Sequence, residues 1–284
     1  MSATTTIVSP EVTALRFIER FSHSGPPTAS ASSPWHPLLD EPSIASLQQE
    51  VASHPGLFRD PRRVEEHSNF KYLSSGYHFS VLTHKDHPDC VFKFMPNKTA
   101  EEQHRTCEKI HTFATSKDKF WVRIPVSSLV PLPCIPTHSL YVEERLQLGM
   151  DMDLHAEFWA RIILYHQSEQ ANEHFHENMR RLVDNISDIV LHFSFWDVGL
   201  HNMPEVSLDG HYVCAVDFEE ISDEPQPDAI ADGMNRLMAL FPIPSLQDQL
   251  VKKAAGLKGF VSDLRAYHGC LVDLEMKRLS SIYS

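Results

Sequence analysis

The order of apolar and polar positions predicts a short helical start to this chain, followed by a change to strands. Near the N-terminus apolar side chains recur about every 3.6 residues, as in a helix, at Val12, Leu15, Ile18 and Phe21. Residues 23–43 are dense in Ser, Pro and Ala and predict a flexible linker. Residues 43–53 predict a second short helix, which His54-Pro55-Gly56 ends. We therefore expect residues 1–60 to form a tail, a linker and short helices.

Between residues 69 and 95 the apolar pattern changes to the period of two that strands show. Two strand faces are predicted, one with Tyr77, Phe79 and Val81 and the next with Val91, Lys93 and Met95. Lys93 places an ammonium between apolar neighbours on a strand predicted to be buried, and a buried lysine is rare unless it is paired. The alternative is an edge-strand lysine whose ammonium reaches water.

A helix and two more strands are predicted after this pair. Thr99 is predicted to cap a helix over residues 100–114, with Glu102 as its capping-box partner. Two strand-like runs follow on either side of a Pro-rich segment at 131–136, and they lie at 121–124 and 140–146.

The second half of the chain is predicted to be mainly helical. Residues 151–193 predict two helices, and the second is a long amphipathic helix with apolar positions spaced three or four apart. That helix leads directly into the loop that contains Asp197. Further helices are predicted at roughly 229–240, 245–254 and 258–281.

The strongest local signal is Asp209-Gly210, which lies between the apolar-rich runs 203–208 and 211–216. Asp-Gly in this setting predicts a two-residue hairpin turn, because both turn positions need φ > 0. Residues equidistant from the turn are then partners, so Leu208 is predicted to face His211 and Asn202 to face Asp217.

Three oxygen-bearing side chains are therefore predicted to converge at the open end of this hairpin. Asp197 lies on the loop that feeds the first strand, and Asn202 and Asp217 are held opposite each other. An amide oxygen and a carboxylate suit a hard cation such as Mg²⁺. The alternative is an ordinary hairpin with polar residues beside it.

The pattern Asp197-x-x-x-x-Asn202, then a hairpin and Asp217-Phe218-Glu219, resembles the catalytic loop and metal-binding segment of protein-kinase-like phosphotransferases. Glu219 stands where protein kinases carry Gly, as also occurs in aminoglycoside-phosphotransferase-like enzymes. Phe195 and Trp196 stand where protein kinases carry His-Arg. The resemblance implies that Asp197 orients the acceptor hydroxyl and takes its proton, while Asn202 and Asp217 hold Mg²⁺.

The resemblance also implies a phosphate site on the earlier strands. Lys93 is similar to the third-strand lysine that contacts the α- and β-phosphates of ATP. Glu108 on the next helix is the expected partner of Lys93, with Glu101 and Glu102 as competitors. The segment from Ser74 to Val81 stands in place of the glycine-rich loop, but it keeps one of the three family glycines, Gly76.

The strand at 141–146 resembles the one that ends in the kinase hinge, where backbone groups hydrogen-bond an adenine ring. Glu143 and Arg145 are therefore expected, with Gly76, Val81, Lys93 and Glu108, to bind the nucleotide. The cofactors implied are ATP and Mg²⁺.

Composition limits the partners that this chain is expected to have. The formal net charge is −13, with 38 acidic and 25 basic residues, which argues against a nucleic-acid or anionic-membrane surface. The five cysteines form no C-x-x-C pair and predict free thiols in a cytoplasmic setting. No apolar run approaches the ~20 residues needed to span a bilayer. The Ser- and Thr-rich start is also compatible with secretion into a host cytosol as an effector.

The resemblance implies an α+β chain with a two-lobe protein-kinase-like fold, with an N-lobe at 61–147 and a C-lobe at 148–284. The helical C-terminal lobe is expected to be reduced, because no long activation segment with Ala-Pro-Glu follows Asp217. The function implied is ATP- and Mg²⁺-dependent phosphotransfer, first as a minimal protein Ser/Thr kinase with a protein acceptor. Two alternatives remain: a small-molecule kinase of the aminoglycoside or choline type, and a pseudokinase that acts as a binding module.

Overall fold

The computed structural model describes residues 9–23, 38–54, 63–64, 68–75, 79–117, 120–146, 151–207, 209–210, 212–216, 226–257, 260 and 267–283. Within these residues the helices are α1 (Pro10–His23), α2 (Glu41–Ser53), α3 (Asn97–Ser116), α4 (Met152–His166), α5 (Glu173–Phe193), α6 (Pro227–Leu240), α7 (Pro244–Lys253) and α8 (Tyr267–Tyr283). The strands are β1 (Phe70–Ser75), β2 (Ser80–His84), β3 (His87–Pro96), β4 (Val122–Arg123), β5 (Ser127–Pro131), β6 (His138–Glu144), β7 (Glu205–Val206) and β8 (Val213–Cys214). The chain is thus a mixed α+β protein, as predicted.

The chain forms two compact units. The first, which we call the helical unit, comprises Met1–Ser32, Ala114–Ile124 and Gln147–Ser284. The second, which we call the sheet unit, comprises Ser33–Phe113 and Pro125–Leu146. The segment 1–60, expected to be a single N-terminal region, is divided between them, because α1 falls in the helical unit and α2 in the sheet unit.

The sheet unit contains a five-stranded antiparallel sheet in the order β1-β2-β3-β6-β5. Alternate side chains of its strands share one face, and this face packs with α2 into an apolar core. The core includes Leu47 and Val51 of α2 and Phe70, Leu82, Phe92, Leu140 and Val142 of the sheet. Lys93 and Tyr141 therefore lie on the opposite face.

Three elements of the sheet unit differ from the predictions. One is strand β1, which is not among the two strands predicted between residues 69 and 95. The helix α3 begins at Asn97 rather than after Thr99, because the Asn97 amide donates to the Pro136 carbonyl (2.8 Å) and its oxygen accepts from the Ser139 hydroxyl (2.9 Å). Strand β5 was not predicted, because Pro131 ends a run of only four other residues. Among the described residues it is an edge strand, paired with β6, and an edge position tolerates proline.

The helical unit has an aromatic core to which α1 contributes. The rings of Phe17 and Phe21 of α1 stack with their centroids 3.9 Å apart, and the centroids of Phe21 and Trp121 lie 4.3 Å apart. The buried Asn178 amide of α5 donates to the Phe21 carbonyl at 2.8 Å, which anchors the end of α1. The N-terminal helix is therefore part of the core rather than of a tail.

A small three-stranded sheet completes the helical unit. Its order is β4-β8-β7, with β4 parallel and β7 antiparallel to β8. The predicted two helices before Asp197 are confirmed as α4 and α5, and both carry side-chain caps. Asp151 accepts from the Leu154 N–H at 3.0 Å, and Asn172 accepts from the Phe175 N–H at 2.8 Å. Among the described helices, none has the length and apolar character to cross a bilayer.

Candidate functional site in the loop and hairpin of the helical unit

The predicted hairpin register is confirmed where the strands are described. Glu205 lies opposite Cys214 and Val206 opposite Val213, and the same register continued toward the open end would put Val216 opposite Met203. The Val216 N–H instead donates to the Asn202 carbonyl at 2.9 Å, so the pairing shifts by one residue before it reaches Asn202. Asp217, Phe218 and Glu219 lie outside the described residues, and the Asn202–Asp217 pairing stays a prediction.

The hairpin turn is centred on a left-handed glycine. Gly210 has φ 70°, and its N–H donates to the Ser207 carbonyl at 2.8 Å. The Ser207 hydroxyl donates to the Asp209 carboxylate at 2.6 Å and accepts from the Tyr212 N–H at 3.1 Å. The turn therefore closes between Ser207 and Tyr212, and Leu208 and His211 lie outside the described residues.

The side chains of Asp197 and Asn202 are hydrogen-bonded to each other. The Asn202 amide donates to the Asp197 carboxylate and, at 3.4 Å, to the Asp197 backbone carbonyl. Asn202 is buried, whereas the Asp197 side chain keeps 28 % of its surface exposed. Because the amide nitrogen of Asn202 is engaged by Asp197, the amide oxygen is the atom that remains for a cation, which fits the ligand preference of Mg²⁺.

Two basic side chains also approach the Asp197 carboxylate. His201 Nε2 lies 3.8 Å from Asp197 Oδ2, and Arg236 Nη1 lies 3.6 Å from Asp197 Oδ1. Arg236 comes from α6, where its Nε also donates to Asp232 at 3.0 Å and its guanidinium lies 5.1 Å over the Trp196 ring. No sequence pattern indicates a role for Arg236, because its contact with Asp197 depends on how α6 packs.

The loop between α5 and Asp197 has a fixed path. Ser194 ends α5 in the left-handed conformation, with φ 54°, and its hydroxyl accepts from the Gln226 N–H at 3.0 Å. Gly233 of α6 lies so close to this loop that a Cβ atom there would overlap the Phe195 carbonyl and lie 3.2 Å from the Trp196 Cα. The helix α6 thus contacts the loop through both backbone and side chains.

Two buried titratable groups lie at the first strand of the hairpin. His155 of α4 is hydrogen-bonded to the Val206 backbone, and Trp159, one turn later, donates to the Pro204 carbonyl at 3.2 Å. Burial lowers the pKa of His155 from 6.5 to about 4. Burial also raises the pKa of the Glu205 carboxyl from 4.5 to about 8, so Glu205 is largely protonated at neutral pH.

Lys93 lies in the sheet unit, on β3, and is 8 % exposed. Its strand partners are Val81 and Tyr141, and Glu143 lies farther along β6 on the same face. The strand assignment and the burial predicted for Lys93 are therefore confirmed. Gly76, expected near this position, lies outside the described residues.

The helix α3 covers this face with polar side chains. Cys107 Sγ lies 3.2 Å from the Tyr141 hydroxyl, and His104 Nδ1 lies 2.9 Å from the Ser127 hydroxyl. Burial raises the pKa of the Cys107 thiol to about 12, and the charge of Glu143 raises this pKa while that of Lys93 lowers it. The charges of Glu143 and Lys93 therefore both influence the pKa of the buried Cys107 thiol.

Glu108 does not lie on the face of α3 that meets the sheet. It is exposed, whereas its neighbour Cys107 is buried against Tyr141. A carboxylate two positions along a neighbouring strand lies within reach of a long side chain. Glu143, on the sheet beside Lys93, is thus better placed than Glu108 to neutralise the ammonium.

The backbone expected to bind adenine is engaged within the chain. The Glu144 N–H donates to the Val126 carbonyl at 2.9 Å, and the Arg145 N–H donates to the Asp89 carbonyl at 2.8 Å. The Arg145 guanidinium donates to the Pro88 carbonyl at 3.3 Å. The donors at residues 144 and 145 are therefore already used, which does not fit the predicted hinge contact.

Two structural observations and three comparisons with known proteins remain. In the described part of the chain, no group of three or more His, Cys, Asp or Glu side chains is arranged to hold a metal ion. All five cysteines lie in described residues and are free thiols, as predicted. No protein-family model, no curated protein and no solved structure matches this chain.

Proposed function

We propose that this chain is an ATP- and Mg²⁺-dependent phosphotransferase with a protein-kinase-like two-lobe fold, and that its acceptor is a Ser or Thr hydroxyl of a protein. The observation that carries the proposal is the bonded pair of Asp197 and Asn202 at the open end of the hairpin. This pair has the sequence spacing of the kinase catalytic loop and lies beside the backbone that leads into Asp217.

Asp197, Asn202 and Asp217 each have a role in the proposed reaction. Asp197 accepts the proton of the acceptor hydroxyl, whose oxygen forms a bond to the γ-phosphorus as the bond to ADP breaks. Asn202 holds Asp197 through its amide nitrogen and presents its amide oxygen, with the Asp217 carboxylate, to Mg²⁺. When bound, ATP would supply the phosphoryl group, and Mg²⁺ would neutralise part of the phosphate charge.

Lys93 supports the nucleotide part of the proposal. It is a buried ammonium on the third strand, and a 20-residue helix, α3, follows its strand directly. A cation at such a position is costly to bury without anionic groups close to it. Glu143 supplies one such group on the same face, and the proposal assigns ATP phosphates as further ones.

A second candidate is a binding module that does not hydrolyse ATP. The observation that favours it is the engagement of the Glu144 and Arg145 N–H groups within the chain, since it removes the donors expected to hold adenine. The loss of two family glycines from the segment 74–81 is consistent with this candidate.

The test measures Mg²⁺·ATP affinity together with phosphotransfer to panels of protein and small-molecule acceptors. Asp197→Ala should lower turnover by about 10²–10⁴ and leave nucleotide affinity nearly intact, as expected for a positioned base. Asp217→Ala should weaken Mg²⁺-dependent nucleotide binding, because the cation loses its carboxylate.

Asp248→Ala is the matched control, because it removes an exposed carboxylate from α7 without touching the loop. It should retain wild-type turnover. Wild-type protein that binds no Mg²⁺·ATP and transfers no phosphate would favour the binding module. Transfer only to small molecules would retain the reaction and replace the protein acceptor.

A further inference from the structure

Arg236 is an arginine from α6 that meets the loop around Asp197. Its guanidinium makes three contacts, with the carboxylate of Asp197, the carboxylate of Asp232 and the ring of Trp196. Asp232 lies one turn before Arg236 on the same helix, so this pair orders the guanidinium within α6 itself. The arginine therefore reaches Asp197 from an already ordered position.

The two oxygens of the Asp197 carboxylate have different neighbours. Oδ2 accepts from the Asn202 amide, and Oδ1 faces Arg236 Nη1 at 3.6 Å. A partial rotation of the carboxylate about its last bond would move both oxygens away from these neighbours. The loop and α6 thus hold the carboxylate from opposite sides.

We propose that Arg236 is a positioning residue, which fixes the orientation of the Asp197 carboxylate for transfer of the acceptor's proton. This inference rests on the proposed phosphotransferase function. It also explains the close approach of Gly233, because a larger residue there would move α6 and Arg236 away from the loop. The arginine acts through Asp197 and contacts neither the acceptor hydroxyl nor the nucleotide in this assignment.

We expect Arg236 to affect the rate of phosphotransfer more than the stability of the fold. Its side chain is 31 % exposed and that of Asp197 is 28 % exposed, and ion pairs with this much solvent contact contribute little to folding. A displaced catalytic group, by contrast, lowers the rate about 100-fold for a shift near 1 Å. A change in kcat without a change in nucleotide affinity is therefore the signature of this role.

The experiment compares Arg236→Ala, Arg236→Gln and Arg236→Lys with Arg181→Ala in the full chain. Arg181 is the matched control, because it is a helix-surface arginine whose Nε bonds a glutamate one turn earlier, Glu177, at 2.7 Å. We expect Arg236→Ala and Arg236→Gln to lower kcat about 10- to 100-fold with unchanged Mg²⁺·ATP affinity. Arg236→Lys should retain more activity than either, and added guanidinium ion should restore part of the activity of Arg236→Ala.

Wild-type turnover in Arg236→Ala, or an equal loss in Arg181→Ala, would overturn the positioning role and leave the proposed function standing. Absence of phosphotransfer in the wild-type protein would overturn both. If Arg236→Ala does not fold, the comparison of Arg236→Lys with Arg236→Gln decides, since equal turnover in the two would contradict a need for positive charge.

Discussion

Gly233 of α6 lies directly against the carbonyl oxygen of Phe195, two residues before Asp197. Any side chain at this position has to displace either the helix or the loop, because the nearest atoms belong to backbone and to the buried Val190. The position of the proposed base thus depends on the absence of a single methyl group.

Gly233→Ala is predicted to lower both stability and phosphotransfer. The matched control is Gly269→Ala, in which the new Cβ meets Ala239 at 2.5 Å in the contact of α8 with α6. Both substitutions crowd α6, so each should destabilise the fold by roughly 1–3 kcal/mol. Only Gly233→Ala should lower kcat, and urea unfolding with an acceptor-phosphorylation assay separates the two effects. Equal kcat in the two variants would show that the loop adjusts to the methyl group.

Gly210→Ala is predicted to destabilise the helical unit through the contact of the hairpin turn with α1. A Cβ at Gly210 would lie 2.6 Å from the Thr13 carbonyl, and the φ of 70° is itself unfavourable for alanine. Gly256→Ala is the control, because Gly256 also has a positive φ, 93°, but no atom within 4 Å of the new Cβ. It should cost about 1 kcal/mol, and Gly210→Ala should exceed it by a further ~1–3 kcal/mol in urea unfolding. A loss of unfolding free energy no larger than that of Gly256→Ala would mean that α1 moves to accommodate the new methyl group.

The hairpin register could be predicted from the sequence because its determinants are local. Asp209-Gly210 marks the turn, and counting outward from it fixes the partners, as the pairing of Glu205 with Cys214 confirms. The burial of Lys93 was predictable for the same reason, since its own strand neighbours are apolar.

The remaining contacts of the site depend on tertiary packing. Whether Cys107 or Glu108 faces the sheet is a matter of how α3 is rotated about its axis, and adjacent residues on a helix point about 100° apart. Arg236 reaches Asp197 because α6 packs on the loop through Gly233. Neither the spacing nor the residue type of these positions carries that information.

Glu205→Gln is predicted to stabilise the protein increasingly as pH rises. The folded pKa of Glu205, about 8, lies above the ordinary 4.5, so the unfolded chain releases a proton that the folded chain keeps between these values. The wild type should therefore lose about 1.4 kcal/mol of unfolding free energy per pH unit across this window from Glu205. Glutamine does not titrate and avoids this loss.

Urea unfolding of Glu205→Gln and wild type at several pH values checks the prediction. The difference should be small below the ordinary pKa of 4.5 and should level off above about 8. Glu169→Gln, which changes an exposed carboxylate in the same unit, should show no such trend. A constant difference across the window would mean that the Glu205 carboxyl is solvated and ionised in the folded protein.

His155 is predicted to weaken the fold in acid, with the opposite sign of pH dependence. Its folded pKa, about 4, lies below the ordinary 6.5, because the imidazole is buried and bonded to the Val206 backbone. Above 6.5 the ring is neutral in both states, and its contribution is fully present. As pH falls from 6.5 to 4, His155 becomes protonated in the unfolded chain but stays neutral in the folded chain. The unfolding free energy therefore falls by about 1.4 kcal/mol per pH unit.

His155→Gln should remove this acid slope, because glutamine does not titrate. The matched control is His174→Gln on α5, because His174 is exposed. Unfolding free energies of the three proteins across this pH window should therefore show parallel curves for wild type and His174→Gln and a flatter curve for His155→Gln. A slope for His155→Gln as steep as that of the wild type would contradict the assignment, because another group would then take up the proton on unfolding.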